Sequence, residues 1–183
     1  MMKYEKEIQY LNYALALDPN NVEIYKKRGI YHLILEDLEK GIKDLLKVVD
    51  LCPKHLEIYT VYIYLASAYI PLDKADESLK YSNKAIKINP NEAVGYNLRC
   101  GAYCVMGNIN KAIAELDKVI KLEPQKTLTY CNRGHLYEDM GQFDKALEDY
   151  ERAIKIDFDY LDAYLKKASL HIDLKDYYQA IKD

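Results

Sequence analysis

Small and ring-bearing side chains recur along this chain at intervals of three, four and seven, the spacing of one helix face. Tyr25, Gly29 and His32 form one such stripe, and Gly41, Leu45 and Val48 form a second shortly after it. The pair of stripes then returns. Its tyrosines are Tyr25, Tyr62, Tyr96, Tyr130 and Tyr164, separated by 37, 34, 34 and 34 residues. Four positions after each stands a small residue, Gly29, Ala66, Cys100, Gly134 or Ala168. Three further on comes a ring, His32, Tyr69, Tyr103, Tyr137 or His171. A second small series runs through Gly41, Ser78, Ala112, Ala146 and Ala180, and a third through Val48, Ala85, Val119 and Ala153. Pro19, Pro53, Pro90 and Pro124 keep the same beat, with Phe158 in the next place.

Each period predicts two antiparallel helices, with the small residues letting their axes approach and the tyrosines filling the space beside them. A helix pair of this kind buries its apolar face only against its neighbours, so the units stack. The pattern places helices near residues 4–17, 22–35, 38–51, 55–70, 73–88, 93–106, 109–122, 127–140, 143–156 and 161–174, and from 177 onward. One unit is longer: nine steps separate Pro53 from Tyr62, against six from Pro19 to Tyr25, Pro90 to Tyr96 and Pro124 to Tyr130. The surplus is close to one helical turn, so the helix near His55 is expected to be extended at its start. Pro71 should end that helix where later units use Gly107 and Gly141, residues suited to a left-handed terminus. Glu7 stands in a small-residue slot of the first segment, which suggests that no partner helix precedes it. The sequence stops at Asp183, early in the second helix of a unit, where a solenoid without a polar cap exposes apolar surface.

The stretch Tyr130-Cys131-Asn132-Arg133-Gly134-His135-Leu136-Tyr137, followed by Met140-Gly141-Gln142-Phe143 and Ala146-Leu147-Glu148-Asp149-Tyr150-Glu151-Arg152-Ala153, resembles the tetratricopeptide repeat (TPR) pattern almost throughout. The resemblance extends over essentially the whole chain. It implies an all-α fold, a right-handed α-solenoid or superhelix of antiparallel helix pairs, with about five units and a partial first. On that reading residues 1–183 are a single domain divided into a partial unit 1–21, units 22–55, 56–92, 93–126 and 127–160, and a truncated unit 161–183. The resemblance also implies that the first helices of successive units line a concave groove that receives a peptide. By phase, the groove candidates are Lys26, Ile30 and Leu33; Ile63, Ser67 and Ile70; Asn97, Gly101 and Cys104; Cys131, His135 and Glu138; and Leu165, Ser169 and Ile172. Basic residues at Lys26 and Lys27 give way to acidic ones at Glu138, Asp139, Asp162 and Asp173. The Lys-x-x-x-Asn and Lys-x-x-x-Arg pairs of repeat proteins that grip chaperone carboxylate tails are missing at the matching positions.

Composition narrows the function further. Tyr occurs 19 times, Phe twice and Trp never, so tyrosine does nearly all the aromatic packing. Lys and Arg total 26 against 29 Asp and Glu, a net charge of -3, which argues against a nucleic-acid partner. No stretch reads as a signal peptide or a membrane span, so a soluble, cytoplasmic chain with no membrane partner is expected. Cys52, Cys100, Cys104 and Cys131 are too few and too irregular for a disulfide framework. Cys104, Cys131 and His135 have a spacing that suits zinc, but Cys100 occupies a slot between helices, and cysteine as a small hydrophobe is the favoured reading. His32 and His171 take a ring slot, and His55 lies at a helix start. Phosphate-binding loops, nucleophile elbows and zinc-protease motifs do not occur. The expectation is therefore a scaffold or adaptor rather than an enzyme, with no cofactor and no metal, binding a peptide segment of a protein partner. The alternative is a self-assembly module, a homo-oligomer joined through open ends.

Overall fold

The computed structural model describes residues 2–53 and 57–174. The chain divides into two halves, Met1–Pro90 and Asn91–Asp183. In the N-terminal half, α1 (Met2–Leu17), α2 (Val22–Ile34), α3 (Leu38–Leu51), α4 (Ile58–Tyr69) and α5 (Ala75–Ile88) follow one another. The C-terminal half holds α6 (Ala93–Val105), α7 (Ile109–Leu122), α8 (Thr127–Asp139), α9 (Phe143–Ile156) and α10 (Leu161–Asp173). Within each half successive helices pack on one another, so the fold is all-α and built from helix hairpins. Among the described residues there is no strand, and no helix is long and apolar enough to cross a membrane.

The helix expected from near His55 instead begins at Ile58, with Glu57 at its cap. The three surplus residues are thus not an added turn of α4 within the described residues; His55 itself lies outside them, as does the helix expected from 177 onward. At the other end of α4 the helix closes as its counterparts do. Glu36, Asp73, Gly107 and Gly141 are left-handed, with φ of 60°, 58°, 67° and 69°. Beyond each, the next amide reaches back five residues, as in Asn108 N–H to the Tyr103 carbonyl at 2.8 Å and Lys74 N–H to Tyr69 at 3.1 Å. This is the Schellman closure, which supplies partners to carbonyls that the helix end leaves open. Pro71 sits inside the turn, and the left-handed residue is Asp73.

The shared beat of proline and tyrosine has a physical cause. The Tyr25 hydroxyl donates to the Pro19 carbonyl and that of Tyr130 to Pro124, both at 3.1 Å, so the second helix end is tied to the ring of the hairpin that follows. Small slots are equally literal: a Cβ on Gly134 would stand 2.7 Å from the ring of Tyr150, which is fully buried. Two apolar clusters fill the C-terminal half. One gathers Tyr130, Cys131, Ala146, Tyr150, Ala153, Ala163 and Leu170, the other Cys100, Ala112, Ile113, Leu116 and Leu136.

A set of charged clamps crosses the hairpins at a fixed spacing of sixteen residues. Arg133 on α8 grips Asp149 on α9 with two hydrogen bonds of 2.6 and 2.8 Å, and Asp117 on α7 with a third of 2.6 Å. Arg28 repeats this with Asp44, at 2.7 Å twice, and with Asn12 at 2.7 Å. Arg99 reaches Glu115 at 2.7 Å, and Lys167 reaches Glu151 at 3.5 Å. The acidic partners Asp44, Glu115 and Asp149 are buried, and cationic pairing is what lets them sit there: Arg28 and Arg133 fork onto their aspartates, while Glu115 takes one bond from Arg99 and a second, of 3.3 Å, from Lys118. The α4–α5 hairpin departs from the rule. Its two positions are Leu65 and Tyr81, both buried, and Tyr81 lies among Tyr62 and Tyr69 with ring centroids 5.8 and 5.9 Å away.

Candidate functional site

In the C-terminal half, α6 and α8 are the first helices of neighbouring hairpins and face each other across a cavity of about 440 Å³. One wall is the α6 face carrying Asn97, Gly101 and Cys104, the other the α8 face carrying Leu128, Asn132 and His135, with Lys126 at the rim. Cys100, Leu116 and Leu136 form the apolar floor. Spacings of four and three on each helix put these side chains in line along its axis. Asn97 and Asn132 are two carboxamides on opposite walls, and neither hydrogen-bonds within the described residues. A neutral amide pair over an apolar floor can donate and accept at once, which is the pattern that a peptide group requires.

The two thiols on the α6 side behave differently. Interaction with Cys100, one turn earlier, lowers the Cys104 thiol to about 7, against the opposing effects of its partial burial and of Asp139. The same interaction, with burial, pushes Cys100 up. Burial also raises Cys131, to about 11.

Of the residues predicted from sequence, Asn97, Gly101, Cys104 and His135 come together in this cavity. Cys131 does not: it is 1% exposed and lies in the core with Tyr130 and Tyr150. It therefore turns away from Cys104 and His135, and the zinc-like convergence of the three is absent; among the described residues no group of three His, Cys, Asp or Glu is placed to hold a metal. Glu138 accepts a 2.7 Å hydrogen bond from the Tyr150 hydroxyl, a structural task that, together with burial, holds that phenol protonated. Ser169, with Leu165 and Ile172, is exposed on α10. In the N-terminal half, Lys26 is paired with Glu23 and Glu57, which offsets its charge in the basic pair expected there, while Lys27 lies over the Tyr31 ring. Ile30 lines a separate shallow cavity of about 360 Å³ with Leu11 and Ile24, while Ile63 is half-buried and Ser67 exposed on α4. Asn132, Leu128 and Lys126 were not expected from the repeat phase.

Sequence models described as tetratricopeptide repeat match residues 128–160 and, in a second form, 59–92 and 161–183; one described as TPR repeat matches 101–141. Comparison with curated proteins gives no match. Among solved structures, a crystal structure of MamA is similar over 84% of this chain and 88% of its own, at 27% identity and a TM-score of 0.77. MamA from Desulfovibrio magneticus RS-1, from residue 41 to its end, is similar over 86% and 87%, at 18% identity and a TM-score of 0.80. YrrB, described as a TPR protein with an unusual peptide-binding site, is similar over 90% and 84%, at 21% identity and a TM-score of 0.77.

Proposed function

We propose, from the premise that this chain belongs to the tetratricopeptide repeat family, that it is a protein-interaction scaffold whose C-terminal half holds an extended peptide segment between α6 and α8. The observation that carries this reading is the pair of solvent-accessible carboxamides, Asn97 and Asn132, facing one cavity with no protein partner among the described residues. Each offers an N–H donor and a carbonyl acceptor, so two of them hold a peptide main chain from both sides without regard to its sequence. Selectivity then comes from the floor, where Cys100, Leu116 and Leu136 suit a small or branched apolar side chain. The YrrB likeness supports the fold, and its described peptide site is consistent with the role. The proposed role is one of binding.

A randomised peptide library selected on the full chain tests the proposal. Binders should carry an apolar anchor, and Asn97→Ala or Asn132→Ala should each weaken them about fivefold to tenfold, the worth of one hydrogen bond of about 1–1.5 kcal/mol. Binders indifferent to both substitutions would refute it. One observation favours self-association as a second reading: Tyr10, Tyr13 and Leu17 stand exposed on one face of α1, at 70%, 74% and 89%. Light scattering over a concentration series decides that point, since a strict monomer at every concentration sinks it.

A further inference from the structure

In the N-terminal half, one flank of α3 faces the end of α4 and the turn beyond it across a cleft of about 740 Å³. Its floor is apolar, made by Ile42 and Leu46 of α3 with Tyr69 and Leu72. That floor follows from the loss of the charged clamp. In the C-terminal half Arg133 crosses from α8 to Asp117 on α7 and lies over the Tyr137 ring. By repeat phase the counterparts of Arg133, Asp117 and Tyr137 are Leu65, Leu46 and Tyr69. The cation and its acceptor have gone together, so no guanidinium crosses from α4 into the space beside Tyr69. We propose that this cleft binds an acyl carboxylate, a hydrocarbon chain ending in one carboxylate group. The inference concerns the other half of the chain from the α6–α8 cavity and does not depend on the scaffold reading.

Three observations select that ligand. Tyr69 lines the cleft at 7% exposure, and its hydroxyl has no hydrogen-bond partner among the described residues. The hydroxyl is not a sealed polar atom, so it opens onto the cleft that its ring lines. Burial raises the phenol, with Tyr81 and Glu77 adding to the effect, so it stays protonated and serves as a donor to an anionic oxygen. Second, Lys43, Lys47 and Lys74 stand exposed around the rim, and none is paired among the described residues. Glu39 and Asp50 stand at the two ends of the α3 flank, likewise unpaired there, so the rim keeps one net positive charge. That complements a single carboxylate better than a phosphate monoester, which carries nearly two negative charges. Third, the volume lies within the range of small-molecule sites, and the floor gives a hydrocarbon chain apolar surface to bury against. The carboxylate then accepts from the Tyr69 hydroxyl and pairs with the rim ammonium groups, while the chain lies along Ile42, Leu46 and Leu72. A second copy of this protein fits poorly, because a two-fold axis across α3 sets Glu39 against Asp50 and Lys43 against Lys47, like charge on like.

Isothermal titration calorimetry of the full chain with dodecanoate, kept below its micelle concentration, tests the proposal. One equivalent should bind. Acetate, a head without a chain, should give no measurable heat. Dodecyltrimethylammonium, the same chain with the opposite charge, should bind about tenfold more weakly or worse. Tyr69→Phe keeps the ring stacked on Tyr81, 5.9 Å away, and removes only the hydroxyl, so it should weaken dodecanoate about fivefold to tenfold. Leu46→Asp places in the floor the carboxylate found at Asp117, without an arginine to pair it, and should abolish binding. Lys47→Glu alters an exposed rim position at no cost to packing and should weaken binding about threefold, an effect that fades in about 0.5 M salt. Circular dichroism on each variant separates a folding defect from a lost site. No dodecanoate binding, equal binding of the two charged chains, or binding indifferent to both Tyr69→Phe and Leu46→Asp would overturn the proposal.

Discussion

Replacing Glu36 by glycine should stabilise this protein, the reverse of what glycine does inside a helix. Glu36 sits at φ 60°, in the left-handed place that Gly107 and Gly141 fill in the other half. For a residue with a Cβ that conformation costs about 1–2 kcal/mol. The Glu36 side chain is exposed and makes no bond within the described residues, so its removal loses nothing. Glycine relieves the strain but adds about 0.4–1 kcal/mol of unfolded-state entropy. The balance for Glu36→Gly is about 0.5–1 kcal/mol in favour of the fold. Asp73→Gly should gain less, because a short carboxylate tolerates the left-handed region better than glutamate does. Gly107→Ala runs the argument backwards. A Cβ there meets nothing within 4 Å, so its cost of about 0.5–1 kcal/mol comes from φ alone. Urea unfolding followed by far-ultraviolet circular dichroism measures all three. With a slope near 2 kcal/mol/M, midpoint shifts of about 0.25–0.5 M are expected, upward for Glu36→Gly and downward for Gly107→Ala. A lowered midpoint for Glu36→Gly would refute the strain argument.

Arg133→Ala strands the buried Asp149 carboxylate between helices and should cost about 3 kcal/mol or more, while Arg133→Lys recovers only part because one ammonium cannot fork; thermal melts of the two variants check this. His32 should make stability depend on pH. Burial in its ring slot lowers its pKa, with Arg28 and Lys40 adding to the effect and Asp44 and Asp37 opposing it. The unfolded chain then binds the proton more readily, so this contribution is whole above about pH 6.5 and is lost as pH falls through the depressed folded value. His32→Tyr, which restores the ring used at Tyr69, Tyr103 and Tyr137, should remove that slope between pH 7 and 5 in chemical denaturation.

Helices were legible because their signal is redundant. The edges of α3, α7 and α9 fall at 38–51, 109–122 and 143–156, where spacing alone puts them. The start of α4 was not, since a three-residue surplus can be spent in a helix or in a connection, and Pro53 permits both. The cavity was half legible, for a geometric reason. Repeat phase selects the same face of every first helix, which matches Asn97, Gly101 and Cys104 to Cys131, His135 and, three beyond, Glu138. A cleft between two such helices is instead lined by opposite flanks. It takes Asn97, Gly101 and Cys104 from α6 but Leu128, Asn132 and His135 from α8, and Cys131 turns to the core. The clamps left a signal that was open to view, an Arg with an acid sixteen places on, at 28 and 44, 99 and 115, 133 and 149. Periods of one helix face do not search that distance.

The α4–α5 hairpin replaces both members of the clamp together, Leu65 for the cation and Tyr81 for the acid. Neither change is tolerable alone, since either would leave one buried charge without its counterpart. The hairpin thus lacks the cation–carboxylate clamp that fastens α2 to α3, α6 to α7 and α8 to α9. Salt and mild acid, which loosen cation–carboxylate pairs, therefore have no such pair to act on at these two positions. What grips α4 to α5 there is contact among three tyrosine rings and a leucine, helped by the Ser78 hydroxyl donating to the Ala66 carbonyl at 2.9 Å and by the Lys84 ammonium over the Tyr62 ring, and the apolar part of that grip weakens with whatever weakens the burial of apolar surface.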